Sequence, residues 1–349
     1  MFIQFLNFIT YNFFLIWLWF CQVLGLILIK FDNKKHRFVM KSYAAIQCAF
    51  MGIVTTGLYP VGIYYFIQRL ENTIISFTVN ISLINETCGY IYMIYAFYRQ
   101  FMNRHEILQL VNLILEFIEV YTLEFPQFSQ NKFLVKYKLM FMISVLIKIV
   151  TLWATIVKIM YVPDPGQFKI IIFALSIPDI VDFVIFNQFI LGIITIQLLI
   201  TVVDSKLDKL LRRHHSCQRL FDNPQAFKML SVNLEISDEL DKLSKVHQSL
   251  HHFHKKLCKL YEFQMLISFT FNFVILMLNC FYIFLVCLLK ISNIEGPGNV
   301  PVLAFLNSFS IAINLMDIIF HLTVCSNCSE SVSKSNKTNK ADVKYFIIF

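Results

Sequence analysis

The sequence has few of the residues that interrupt helices, and little charge. Its 349 residues include only 9 Gly and 8 Pro, so its helices are predicted to be long. Charged residues make up 15% of the chain, against about 25% in a typical soluble domain. Hydrophobic residues reach 57%, and the mean hydropathy is +0.64. The composition therefore excludes an ordinary soluble domain and indicates a membrane protein.

The sequence also lacks the short motifs of the common enzyme classes. It contains no Gly-rich phosphate loop, no H-E-x-x-H metal motif and no G-x-S-x-G nucleophile elbow. Its nine cysteines show no regular disulfide spacing, and the pair Cys325 and Cys328 is only half of a zinc site. We therefore expect no enzyme activity, no cofactor and no bound metal. The net charge of +8 is interpreted as lysine and arginine on cytoplasmic loops, with no nucleic-acid partner.

Apolar runs long enough to cross a bilayer, about 20 residues each, recur along the chain. They are Phe2–Ile29, Ser42–Phe66, Thr73–Tyr98, Tyr137–Met160, Phe168–Val203, Met265–Leu289 and Val300–Val324. Pro178 and the two aspartates near it suggest that the fifth span begins nearer Asp182. The sequence thus predicts an all-α, polytopic membrane helical bundle.

Basic residues alternate between rich and poor connections, and rich connections are expected on the cytoplasmic side. Connections 30–41, 99–136 and 204–263 and the tail after 324 are rich in lysine and arginine, whereas those near 69, 161–167 and 290–299 hold at most one each. We predict a membrane-associated segment 1–41, spans 1–4 in 42–203, a cytoplasmic helical anchor 204–263, spans 5–6 in 264–324 and a cytoplasmic tail 325–349. Charge leaves open whether Phe2–Ile29 spans.

Polar residues inside the predicted spans have two interpretations. Asn85 and Glu86 lie in the third apolar run, and Asp179 and Asp182 lie in the fifth. Polar groups in a bilayer are costly and often functional, so these four are the candidate ligand-binding residues. The alternative is that they hydrogen-bond between helices and hold the bundle together.

A histidine-rich stretch, Lys245–Gln264, precedes the sixth apolar run. Leucines alternate there with histidines at spacings of three and four, which is a helix-packing seam. The seam residues, predicted to pack between helices or subunits, are Leu243, His247, Leu250, His254, Leu257 and Tyr261. A zinc site would need further ligands from elsewhere, and we therefore favour helix packing over metal binding. No Gly or Pro separates this stretch from the apolar run at Met265, so we predict one long helix that continues into the membrane.

Several stretches resemble the insect gustatory receptor family, particularly its fly members. They are "LGLILIKFDNKKHRFVMKSYAAIQCAF", "DIVDFVIFNQFILGIITIQLLITVVDSKLDKLL", "LDKLSKVHQSLHHFHKKLCKLYEFQMLISF" and "VCSNCSESVSKSNKT". The resemblance covers roughly residues 24–340. It implies a chemoreceptor of the plasma membrane with a cytoplasmic amino terminus, the inverse of G-protein-coupled receptors, whose Asp-Arg-Tyr and Asn-Pro-x-x-Tyr motifs have no counterpart here at the expected places.

The resemblance further implies a homo- or hetero-tetrameric, ligand-gated cation channel that detects a small-molecule tastant. The family's seventh helix, with Thr-Tyr, an apolar run and Gln-Phe, is not found before Phe349. We therefore expect a chain that lacks this helix. The alternative function is a non-conducting membrane scaffold or regulatory subunit, or a truncated product of the same family.

Overall fold

The structure, a computed structural model, describes residues 18–347 apart from 20, 27–28, 33, 41, 71–75, 125–131, 161–167, 219–225 and 292–299. Within these residues the fold is the predicted helical bundle with one added hairpin. The helices are α1 (Ser42–Leu70), α2 (Ser76–Met102), α3 (Arg104–Glu124), α4 (Lys132–Met160), α5 (Phe168–Gln218), α6 (Ala226–Ile291) and α7 (Val300–Ile347), and the strands are β1 (Ile29–Asp32) and β2 (Arg37–Met40).

Four helices contain described stretches that are long and apolar enough to cross a membrane. These stretches are Ala45–Tyr65 in α1, Ser176–His214 in α5, Leu234–Phe281 in α6 and Ser308–Ser333 in α7. Helices α2 and α4, with 27 and 29 residues, coincide with the two further predicted runs at Thr73–Tyr98 and Tyr137–Met160. Most of the predicted run Phe2–Ile29 lies outside the described residues.

Helix α5 is the centre of the bundle. It packs against α1, α2, α4, α6 and α7, and its Ile185, Ile190 and Ile196 are fully buried. The helix starts at Phe168 and continues through Pro178, so it begins well before Asp182, whereas the start of the span near Asp182 stays a prediction. Proline is tolerated in membrane helices because neighbouring groups satisfy the backbone that it frees.

The segment before α1 folds back onto the bundle. The antiparallel hairpin of β1 and β2 pairs Ile29 with Met40. The main chain of Phe38 exchanges two hydrogen bonds with the Asn112 amide of α3, at 2.8 and 2.9 Å. Gly25 has a φ of 71°, and a Cβ there would lie 2.8 Å from the Cα of Cys48. Only glycine therefore fits this turn.

Two helices extend far beyond the length of a span. Helix α6 runs unbroken for 66 residues, so the predicted continuity of the histidine-rich stretch with the next apolar run is confirmed. Helix α7 continues for 48 residues into the predicted tail. Helix α3 occupies part of the predicted loop 99–136. At about 1.5 Å per residue, α6 is roughly 100 Å long, more than three times the apolar thickness of a bilayer.

Candidate ligand-binding site

Three pairs of helices meet at one end of the bundle, where connections 71–75, 161–167 and 292–299 join α1 to α2, α4 to α5 and α6 to α7. We call this the short-loop end. Polar contacts between the helices gather about 10–20 residues from it, which is roughly 15–30 Å along a helix. This depth lies within the apolar layer if the short-loop end is at a membrane surface.

The main feature at this depth is a buried ionic cluster, formed by Lys148, Asp182, Asp317 and His321. The Nζ atom of Lys148 on α4 lies 2.8 Å from Oδ2 of Asp317 on α7 and 3.3 Å from Oδ2 of Asp182 on α5. Nδ1 of His321 lies 3.0 Å from Oδ1 of Asp317, one turn earlier in α7, although without hydrogen-bond geometry. All four side chains are buried. One lysine thus joins two carboxylates from different helices.

Hydrogen bonds extend the ionic cluster to a fourth helix. The Ser268 hydroxyl of α6 donates to Oδ1 of Asp182. On the other side, the Ser144 hydroxyl lies 3.2 Å from Nε2 of His321 and 3.0 Å from the Oδ1 atom of Asn187, to which it donates. The cluster therefore connects α4, α5, α6 and α7 at one level of the bundle.

Phe186 covers the ionic cluster on one side. Lys148 Nζ lies 4.5 Å from the centre of its ring, and the ring meets that of His321 edge-on at 4.1 Å. A cation over a desolvated ring gains roughly 2 kcal/mol or more. The same ring excludes water, which strengthens the attraction between the charges.

A second polar contact joins α1 to α2 at a similar depth. The hydroxyl of Tyr59, which is fully buried, lies 2.5 Å from Oε2 of Glu86. Tyr59 stacks on Tyr90 with ring centres 5.2 Å apart, and Tyr90 donates to the main-chain oxygen of Thr56 at 3.1 Å. Among the described residues, Oε1 of Glu86 accepts no hydrogen bond, so the carboxylate keeps a free acceptor beside two aromatic rings.

Further polar side chains lie between α6 and α7 and on α2. The Nδ2 atoms of Asn279 and Asn314 each lie 3.4 Å from the Ser310 hydroxyl. On α2 the hydroxyl of Tyr92, which is fully buried, faces Asp182 of the ionic cluster.

Two of the four candidate residues from the sequence thus lie in polar contacts between helices. Asp182 belongs to the ionic cluster, and Glu86 pairs with Tyr59. Asp179 lies one turn before Asp182 on α5 and is half-buried. The side chain of Asn85 lies outside the described residues. The sequence interpretation missed Lys148, Asp317 and His321, although each is an ionisable residue inside an apolar run, the same signal that singled out Asp182.

The histidine-rich stretch of α6 packs along its seam. Leu243, His247, Leu250, Leu257 and Tyr261 are buried, and His254 is half-buried. Cys258 Sγ lies 3.7 Å from Nε2 of His254, one turn away. Among the described residues no group of three or more His, Cys, Asp or Glu side chains is placed to hold a metal ion.

The histidines of this seam precede the apolar part of α6, which begins at Met265. Burial lowers the pKa of His247, and the nearby His251 lowers it further, while Asp204 acts in the opposite direction. Burial also lowers the pKa of His254. Both imidazoles are therefore favoured in their neutral form, which suits a packed helix interface.

A bundle of long apolar helices with charged side chains gathered inside it defines a multi-pass membrane protein with an internal polar site. The chain belongs to the 7tm chemosensory receptor family, whose family model matches residues 14–341. This agrees with the resemblance to insect gustatory receptors. A comparison with curated proteins gives no match.

Proposed function

We propose that the chain is a subunit of a ligand-gated cation channel that detects a small-molecule tastant. The ionic cluster and the Tyr59–Glu86 pair lie at a similar depth in the bundle, and we call them together the polar belt. This polar belt inside a 7tm chemosensory receptor, in which the Glu86 carboxylate lies beside Tyr59 and Tyr90, is the observation that carries the proposal. Polar groups inside a membrane protein commonly mark binding sites. The alternative is that these groups only hold helices together, with the second oxygen of the half-buried Glu86 left without a ligand.

The chemistry of the belt favours ligands with hydrogen-bond donors. Asp182 and Asp317 share one lysine, Lys148, whereas the carboxylate of Glu86 is bound by the Tyr59 hydroxyl. An ammonium group or a set of sugar hydroxyls would satisfy the open acceptor of Glu86 and stack on the neighbouring tyrosine rings. The ligand site of this proposal comprises Glu86, Asn85, Asp179 and Asp182, with Tyr59 and Tyr90 as its aromatic wall.

The long helices support the assembly part of the proposal. A homo- or hetero-tetramer in the plasma membrane, with a cytoplasmic amino terminus, would place the basic part of α6 in the cytosol. Helix α6 also presents large exposed apolar side chains, including Leu266, Phe273 and Met277. Such a face is suited to lipid or to a neighbouring subunit.

The test is to express the chain in cells, alone and together with another 7tm chemosensory receptor, and to record currents. The stimuli are sugars, amino acids, alkylamines and alkaloids. We expect a non-selective cation current with at least one class, and we expect Glu86→Gln to shift its half-maximal concentration at least tenfold. Glu116→Gln, an exposed carboxylate on α3, is the matched control and should leave the response unchanged.

Two outcomes would contradict the proposal. Surface expression without a response to any stimulus in any combination would argue against a sensing subunit. Stable association with another receptor, without any change in the ligand response of that receptor, would favour the scaffold or regulatory alternative.

A further inference from the structure

A separate cavity lies in the half of the bundle that is farther from the short-loop end. Its volume is about 190 Å³, and its walls come from the amino-terminal segment, the β1–β2 hairpin, α2, α3, α5 and α6. Most of the wall is aliphatic, with Ile107, Val111 and Ile114 from α3 facing Leu191 of α5 and Leu257 of α6. None of the candidate residues of the polar belt lines it, so this is a different site.

The polar groups on one wall of the cavity satisfy one another. Oε1 of Gln188 accepts hydrogen bonds from the Gln100 amide and the Tyr261 hydroxyl, each at 3.1 Å. Nε2 of Gln188 donates to the main-chain oxygen of Leu26 at 3.4 Å. This wall therefore offers little to a ligand and is mainly structural.

Arg104 is the polar group of the cavity wall that retains free donors. One guanidinium nitrogen donates to the Phe101 carbonyl at 2.6 Å, and the group lies 4.3 Å from the centre of the Phe101 ring. Among the described residues no carboxylate lies within ion-pair distance of Arg104. A guanidinium has five N–H donors, so most of them remain for an anion.

The size of the cavity limits its occupant. An apolar cavity of about 150 Å³ holds benzene, so a volume of about 190 Å³ accommodates an apolar chain or ring of roughly six to eight carbons. The chain of a membrane lipid, with twice as many carbons, exceeds this volume, so the site suits a small molecule better.

We propose that this cavity binds a short-chain monocarboxylate, with the carboxylate on Arg104 and the hydrocarbon part between α3, α5 and α6. Arginine is well suited to this role because its planar fork pairs with both oxygens of a carboxylate. The proposal does not depend on channel activity, because its readout is binding alone.

The experiment measures radiolabelled hexanoate binding to the purified full chain in neutral phosphatidylcholine nanodiscs, with empty nanodiscs subtracted. Unlabelled hexanoate should compete, whereas 1-hexanol, hexylamine and palmitate should compete at least tenfold less well. Arg104→Gln should weaken binding at least tenfold, since a charge-assisted hydrogen bond is lost, and Arg104→Lys should restore part of it. The matched control is Arg212→Gln, an exposed arginine on α5.

A cavity-filling variant tests the position of the site independently of charge. Val111→Phe places a ring in the space of the hydrocarbon part and should abolish hexanoate binding while the chain still elutes as a single species. The proposal is overturned if hexanoate does not bind or if 1-hexanol competes equally well. It is also overturned if Val111→Phe, folded by the same criterion, binds hexanoate as the wild type does.

Discussion

Lys148 is the residue whose replacement tests the ionic cluster most directly. Lys148→Met keeps the length and volume of the side chain but removes the charge that Asp182 and Asp317 share at 3.3 and 2.8 Å. Both carboxylates then remain buried without their cation. Removing one partner of a buried ion pair typically costs about 3–5 kcal/mol. Because two carboxylates lose the same partner here, we expect the upper part of this range.

The measurement is the free energy of unfolding of the purified protein in detergent, followed by intrinsic fluorescence during titration with a denaturing detergent. Lys136→Met on the same helix is the matched control, because Lys136 is exposed, and it should cost less than about 1 kcal/mol. Adding Asp317→Asn to Lys148→Met removes one of the unpaired charges and should recover part of the loss.

The reasoning would be refuted if Lys148→Met and Lys136→Met had the same free energy of unfolding. It would also be refuted if adding Asp317→Asn made Lys148→Met still less stable, because the second carboxylate would then not be an uncompensated charge. A recovery larger than the loss itself would show that the native site, with its lysine and two carboxylates, is less stable than a site with one carboxylate and no cation.

Three further predictions concern other parts of the bundle. Tyr59→Phe leaves Glu86 without its hydroxyl donor and should lower the free energy of unfolding by about 1–3 kcal/mol. Gly192→Ala brings a Cβ within 2.7 Å of a side chain of α6 and should be less stable than Gly57→Ala, which meets nothing within 4 Å, by about 1 kcal/mol. Burial lowers the pKa of His247 in the folded chain. As the pH falls through about 6.5, the unfolded chain therefore takes up a proton before the folded chain does, and thermal stability should decrease below that pH.

Each of these predictions has a control and a result that contradicts it. Tyr90→Phe, which removes a hydroxyl bonded only to a main-chain oxygen among the described residues, should cost less than Tyr59→Phe, and the reverse order would contradict the first prediction. Equal stability of the two glycine variants would mean that Leu257 moves aside freely. His247→Asn should reduce the loss of stability at low pH, whereas His252→Gln, an exposed residue, should not. An unchanged pH profile in His247→Asn would exclude that residue as the cause.

The sequence predicts the helices well because their signal is local. Long apolar runs interrupted by basic connections are sufficient to place most of the spans, and the heptad seam predicts the continuity of α6 without any knowledge of its neighbours. The sequence does not predict the hairpin, because its two strands have only four residues each and lie in a connection rich in charge. Its docking depends on Asn112, 74 residues away.

The candidate site was less predictable because its contacts join distant parts of the chain. Asp182 stood out as a carboxylate in an apolar run, but its partner Lys148 is 34 residues before it and Ser268 is 86 residues after it. Periodicity shows which face of a helix is buried, but not which other helix covers it. The same limit applies to Gly192, whose contact with Leu257 depends on the relative position of α5 and α6.

The position of the ionic cluster in the fold bears on how a ligand would act. Asp179 and Asp182 lie one turn apart on α5, the central helix, so a donor group that binds near Asp179 lies within reach of the carboxylate that Lys148 shares. If that donor attracts Asp182, Lys148 is left to pair with Asp317 alone. The ion pair between α4 and α7 is then kept, whereas the ion pair between α4 and α5 is lost. With two acceptors for one cation, at 2.8 and 3.3 Å, a ligand of the proposed site would change which helices are held together. An apolar core of the same volume would pack these helices without two alternative ion pairs between them.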